Sequence, residues 1–120
     1  MIEIRFTIPG KPVPKGRPRV NRKTGAVYTP RETKDYERTV AGAFLAAGQG
    51  KPNHTGAVAL DIEVFPDRVE VALQLRESPA PKHKADLDNI LKSVADGLQR
   101  VGAFNDDRQI EAIGATWQGE

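Results

Sequence analysis

Two runs of alternating apolar residues stand back to back in the middle of the chain. Val58, Leu60, Ile62 and Val64 form the first, and Val69, Val71, Leu73 and Leu75 the second, with Pro66-Asp67-Arg68 as the turn between them. A period of two sends successive side chains to opposite faces of an extended backbone, so each run has one apolar face. Joined so tightly, the runs are expected to pair as a hairpin. Ile2, Ile4, Phe6 and Ile8 alternate in the same way with Glu3, Arg5 and Thr7, until Pro9-Gly10 ends the pattern. This adds a strand, and a sheet with one apolar face needs a covering layer.

Two segments have the spacing to supply that layer. Thr29-Pro30-Arg31-Glu32 reads as a helix start, with Thr29 as N-cap, Pro30 in the first helical position and Glu32 completing a capping box. Tyr36, Val40, Ala43, Phe44 and Ala47 follow at helical spacing and Gly48 is a stop, predicting a helix over residues 30–47. Ile90, Leu91, Val94, Ala95, Leu98 and Val101 make a second, broader stripe, starting at or just after Asp88, with Gly102 past its end. Gln109 to Trp117 reads as a last strand, although Ile110 and Ile113 differ in parity and require a bulge. The order strand, helix, hairpin, helix, strand predicts an α/β two-layer sandwich, a mixed sheet with two helices packed on one face. At 120 residues, without repeat or linker, the chain is expected to form a single domain, 1–120.

Charge is unevenly distributed. The net +2 conceals a segment from Gly10 to Arg31 that carries Lys11, Lys15, Arg17, Arg19, Arg22, Lys23 and Arg31 and no Asp or Glu. Rich in Pro and Gly, it is expected to be a long basic loop, about 10–29, with a turn at Lys23-Thr24-Gly25, and to seek anions. Four carboxylates, Asp86, Asp88, Asp106 and Asp107, bracket the second helix. Gathered in one site they would repel one another unless a cation intervened, and hard oxygen donors favour Mg²⁺, with Mn²⁺ as a substitute. Zinc is disfavoured, since the chain has no Cys and only His54 and His83, far apart. An extended Asp86-Leu87-Asp88 would put both carboxylates on one side, and Lys92 lies one helical turn beyond Asp88. Some 20 Å of helix separates the two acidic pairs, on the order of 1.5 Å per residue, so Asp106 and Asp107 must fold back to share an ion. The plain alternatives are Asp88 as a helix cap, Asp106 and Asp107 as a turn, and Lys92 as a surface lysine.

These residues carry a family resemblance. Asp86-Leu87-Asp88-Asn89-Ile90-Leu91-Lys92, Asp96-Gly97-Leu98, Gly102-Ala103-Phe104 and Asn105-Asp106-Asp107-Arg108-Gln109-Ile110 resemble the signature of the RusA family of Holliday junction resolvases. Pro12-Val13-Pro14-Lys15-Gly16-Arg17-Pro18-Arg19 and Tyr28-Thr29-Pro30 resemble the opening of its phage and prophage members. A chain without Cys fits a reducing cytoplasm. The resemblance implies a homodimeric, Mg²⁺-dependent endonuclease that cuts four-way DNA junctions by paired symmetric nicks. It implies Asp86, Asp88 and Asp107 as catalytic metal ligands and Lys92 as a catalytic lysine, with Asp106 a possible ligand or support. Lys11, Lys15, Arg17, Arg19, Arg22, Lys23, Lys82 and Lys84 are the expected DNA contacts.

Two other functions compete. A non-catalytic DNA-binding module would explain the basic loop and leave the acidic residues without a purpose. A metal-dependent nucleotide phosphohydrolase would need a phosphate cradle, and Gly10-Lys11 lacks the Walker spacing. No apolar run is long enough for a membrane span, and Met1-Ile2-Glu3-Ile4-Arg5 is unlike a secretion signal.

Overall fold

The structure, a computed structural model, describes residues 1–48, 50–82 and 86–118. The chain divides into two compact units, Met1–Ala80 and Pro81–Glu120.

In the first unit, β1 (Ile2–Pro9), β4 (Gly56–Phe65) and β5 (Arg68–Pro79) form a sheet in the order β1-β5-β4. Both pairings are antiparallel. The hairpin closes with Phe65 opposite Arg68, whose guanidinium carbon lies 3.9 Å from the Phe65 ring centre. Gly10, at φ +94°, donates its N–H to the Asp67 carbonyl and ties the end of β1 to this turn. The register sets Ile4 opposite Leu73, Phe6 opposite Val71 and Ile8 opposite Val69, so the alternating apolar residues share one face. At the far end of β4 the pairing shifts between Gly56 and Val58. A Cβ on Gly56 would come within 2.8 Å of the Ser78 carbonyl oxygen, which leaves room for glycine alone.

Helix α1 (Arg31–Ala46) covers part of that face. Tyr36, Val40 and Ala43 pack with Phe6 against a core of Ile8, Val69 and Val71, and Phe6 meets Phe44 edge to face. The expected capping box does not form. Helical geometry begins at Arg31, so Pro30 occupies the N-cap position and, having no side-chain oxygen, leaves it without a side-chain bond. Gly48 fulfils its role as stop, at φ +83°.

The basic segment is more ordered than a loop. β2 (Arg19–Val20) and β3 (Val27–Tyr28) pair antiparallel around the expected turn, with Gly25 at φ +74°. Its root is fixed on α1: the Gly16 N–H donates to Thr33 Oγ1 at 2.9 Å, and Thr33 and Pro30 are buried.

The second unit holds α2 (Leu87–Arg100) and a 3₁₀ turn, Asp107–Gln109. Gly102 at φ +81° ends α2 in a Schellman arrangement, with Ala103 N–H on the Leu98 carbonyl and Gly102 N–H on that of Gln99. Among the described residues no strand forms after Gln109, which corrects that expectation: with Ile110 and Ile113 out of phase, the segment has no single apolar face for a sheet. All strand pairings among the described residues are antiparallel. Residues 110–115 instead run beside α2, where Ile110, Ile113 and Phe104 with Leu91, Val94 and Leu98 line an apolar hollow of about 390 Å³. The helices and sheet together give the expected α/β class.

Candidate active site

Asp86 is the N-cap of α2 and Asp88 lies in its first turn. The helix starts at Leu87, a residue or two before the expected point, and this changes the geometry of the triplet. With Leu87 and Asp88 already helical, the triplet is not the extended run that was expected to set both carboxylates on one side. Asp86 makes no capping hydrogen bond. Asp86, Asp88 and Lys92 are exposed, and the helical spacing of Asp88 and Lys92 produces no ion pair among the described residues. The plain reading of Asp88 as the cap of α2 is not met, since Asp86 takes that position, without a side-chain hydrogen bond.

The second acidic pair is engaged. The Asp106 carboxylate accepts from the Arg108 backbone N–H at 2.8 Å, from its Nε at 3.3 Å and from its Nη2 at 3.0 Å. Gln109 Oε1 in turn accepts from the Asn105 and Asp106 N–H groups, at 2.7 and 2.8 Å, completing a capping box around the 3₁₀ turn. The Arg108 hydrogen bonds hold the Asp106 carboxyl down at about 2. Asp107 is the first residue of the turn and is exposed. Gln99 Nε2 donates to the Asn105 carbonyl at 3.2 Å, tying this loop to the last turn of α2. The two acidic pairs thus occupy opposite ends of one helix.

As donors, these carboxylates suit a hard divalent cation. As a constellation, they are not gathered: among the described residues no group of three or more His, Asp or Glu side chains is placed to hold a metal ion. Arg108 and Gln109, which hold Asp106 in place, were not among the residues singled out from the sequence. The spacing Asp106-x-x-Gln109 was the available signal, since it is that of a capping box.

The cationic residues separate by location. Lys11, Lys15, Arg17, Arg19, Arg22 and Lys23 are exposed in the first unit, and none forms an ion pair among the described residues. Lys82 is exposed in the second unit, while Lys84 and His83 lie outside the described residues. No helix among the described residues is long and apolar enough to cross a membrane.

An arm of cations without ion pairs among the described residues suits nucleic acid, and comparison with known proteins gives the class of the chain. Residues 9–120 match the model of the endodeoxyribonuclease RusA family, a match that runs through both units. The chain belongs to the RusA family, whose members are Holliday-junction-resolving nucleases acting on branched DNA. It is also similar to an uncharacterized protein, YqaN, of Bacillus subtilis strain 168, being 34% identical over 119 residues that cover 89% of this chain and 81% of that protein. No solved structure matches.

Proposed function

We propose that this chain resolves four-way DNA junctions as a cytoplasmic homodimer, by paired symmetric nicks that depend on Mg²⁺. The observation that supports this most is the state of α2's first two turns: the side chains of Asp86, Asp88 and Lys92 stand exposed, with no ion pair or side-chain hydrogen bond among the described residues. Charged side chains kept free in this way are available to a substrate.

Asp86, Asp88 and Asp107 are the residues proposed to hold Mg²⁺ or Mn²⁺. As placed they are not gathered, so this reading requires Asp107 to be brought to the start of α2 when ion and DNA bind, where the ion would supply an activated water and charge relief on the phosphate. Lys92 contributes positive charge where the scissile phosphate becomes more negative. Asp106 is the support for Asp107: anchored by Arg108 and Gln109, it fixes the turn on which its neighbour stands. Lys11, Lys15, Arg17, Arg19, Arg22 and Lys23, with Lys82 and Lys84, hold flanking phosphates without reading sequence, so binding should weaken steeply with salt.

The test is a gel assay on a synthetic four-way junction and a linear duplex of the same arms, with Mg²⁺ and with chelator, alongside sedimentation. Symmetric nicks in the junction alone, only with metal and from a dimeric species, are expected. Junction binding without cleavage in any divalent ion would leave a DNA-binding module in place of a nuclease.

A further inference from the structure

We propose that the β2–β3 hairpin is the element that reads the branch point, by laying Val20 and Val27 against base faces that unbranched DNA keeps covered. The proposal rests on the nuclease reading above and adds to it a means of choosing substrate.

The pairing sets Val20 opposite Val27 and Arg19 opposite Tyr28. Directly paired residues share a face, so the hairpin carries two valines on one side and an arginine with a tyrosine on the other. All are exposed: Val20 by 59%, Val27 by 69% and Tyr28 by 46%. β2 and β3 pair with each other and pack against no other element among the described residues, so the fold gains no burial from these side chains.

The hairpin is nonetheless built to hold its shape. Asn21 N–H donates to the Ala26 carbonyl at 2.8 Å and Gly25 N–H to that of Asn21 at 2.7 Å. Asn21 Oδ1 accepts from the Lys23 and Thr24 N–H groups, and Thr24 Oγ1 accepts from Ala26 N–H. Two-stranded hairpins are marginal alone in water, so this network and the Gly16–Thr33 anchor at its root keep a small apolar face presented to solvent.

Charge identifies what covers that face. Arg17, Arg19, Arg22 and Lys23 lie within three residues of Val20, and no acid occurs between Gly10 and Arg31. The complementary partner is a polyanion that also offers flat apolar surface, which describes nucleic acid: phosphates for the cations, base faces for the valines. Inside a continuous duplex those faces are stacked on one another. At a branch the terminal pairs of each arm can be opened at lower cost, so an apolar pair on a cationic hairpin discriminates branched from linear DNA by shape.

The experiment compares the unaltered protein with Val20→Ser/Val27→Ser, an exposed double change that should leave thermal unfolding unaltered. Affinities for a four-way junction and for linear duplex are measured in chelator, with 2-aminopurine at the branch reporting unstacking. For the double variant, junction affinity should fall about tenfold, duplex affinity should hold, and the fluorescence rise on binding should vanish. An Arg22→Ala/Lys23→Ala variant should instead weaken both DNAs in proportion, as phosphate contacts do. A valine variant that keeps its junction affinity and fluorescence rise, or that weakens both DNAs equally, overturns the hairpin's role while leaving the nuclease reading intact. An unaltered protein that fails to bind or cut the junction overturns the nuclease reading itself, and this proposal with it.

Discussion

The Asp106 carboxylate accepts three hydrogen bonds from Arg108, whereas the Asp88 carboxylate, at the other end of α2, accepts none among the described residues. Both belong to Asp-x-Asp or Asp-Asp pairs beside α2, and both are acids near the end of a helix or turn. What separates them is whether local backbone donors have engaged the carboxylate. A side chain that closes a capping box is held in one place and gives its oxygens to N–H groups, while an unengaged one keeps its lone pairs for a ligand.

The contrast is broken first by Asp88→Asn. Cleavage should fall on the order of a hundredfold or more while thermal unfolding stays within about 2 °C, since the carboxylate supports no structure. A clear drop in melting temperature would mean that Asp88 belongs to the fold after all. Lys92→Ala is the next largest expected effect, with turnover on the junction reduced about a hundredfold and junction affinity held, which would separate charge at the reacting phosphate from phosphate anchoring. Asp106→Asn inverts the pattern. Here cleavage should fall by about tenfold, through a looser Asp107, and amide exchange at Arg108 and Ile110 should quicken.

Acid sharpens the same comparison. Because the Asp106 carboxyl is held at about 2, below its ordinary value, its ionised form contributes stability that is complete above the unfolded aspartate range. That contribution is lost as pH falls from about 4 towards 2. Unfolding curves of the protein and of Asp106→Asn should converge over this window, and parallel curves would show that the Arg108 bonds add nothing. The smallest effect is expected at the arm. In Gly16→Ala the new Cβ would meet Pro30 Cγ and Thr33 Oγ1 at 3.0 Å, so the root must give slightly, and affinity for all DNA should fall about two- to threefold with cleavage at saturation unchanged.

The strands were legible because each apolar run keeps strict parity, and the register of β1, β5 and β4 follows from matching those faces. The tail after Gln109 was misread for the complementary reason: Ile110 and Ile113 are out of phase, and the hollow beside α2 accommodates both without a sheet. The start of α2 was ambiguous because Asp86 and Asp88 are equally suited to precede a helix, and the choice between them decides whether their carboxylates share a side. Asp106-x-x-Gln109 could have been recognised from spacing alone. The hold of Thr33 on Gly16 could not, because it joins residues seventeen apart through a hydroxyl that in sequence looks like any other on a helix.

The crowded glycine at the start of β4 has a consequence for how the chain avoids mispairing. Parity forbids a slip of one residue between β4 and β5, since that would turn every apolar side chain over, but a slip of two keeps each face intact. Such a slip would place His54 or Val58 where Gly56 now lies, driving a Cβ into the carbonyl oxygens of Arg76 and Ser78. Together with the two-residue turn at Pro66-Asp67, this pins the strand at both ends and leaves one alignment open to it.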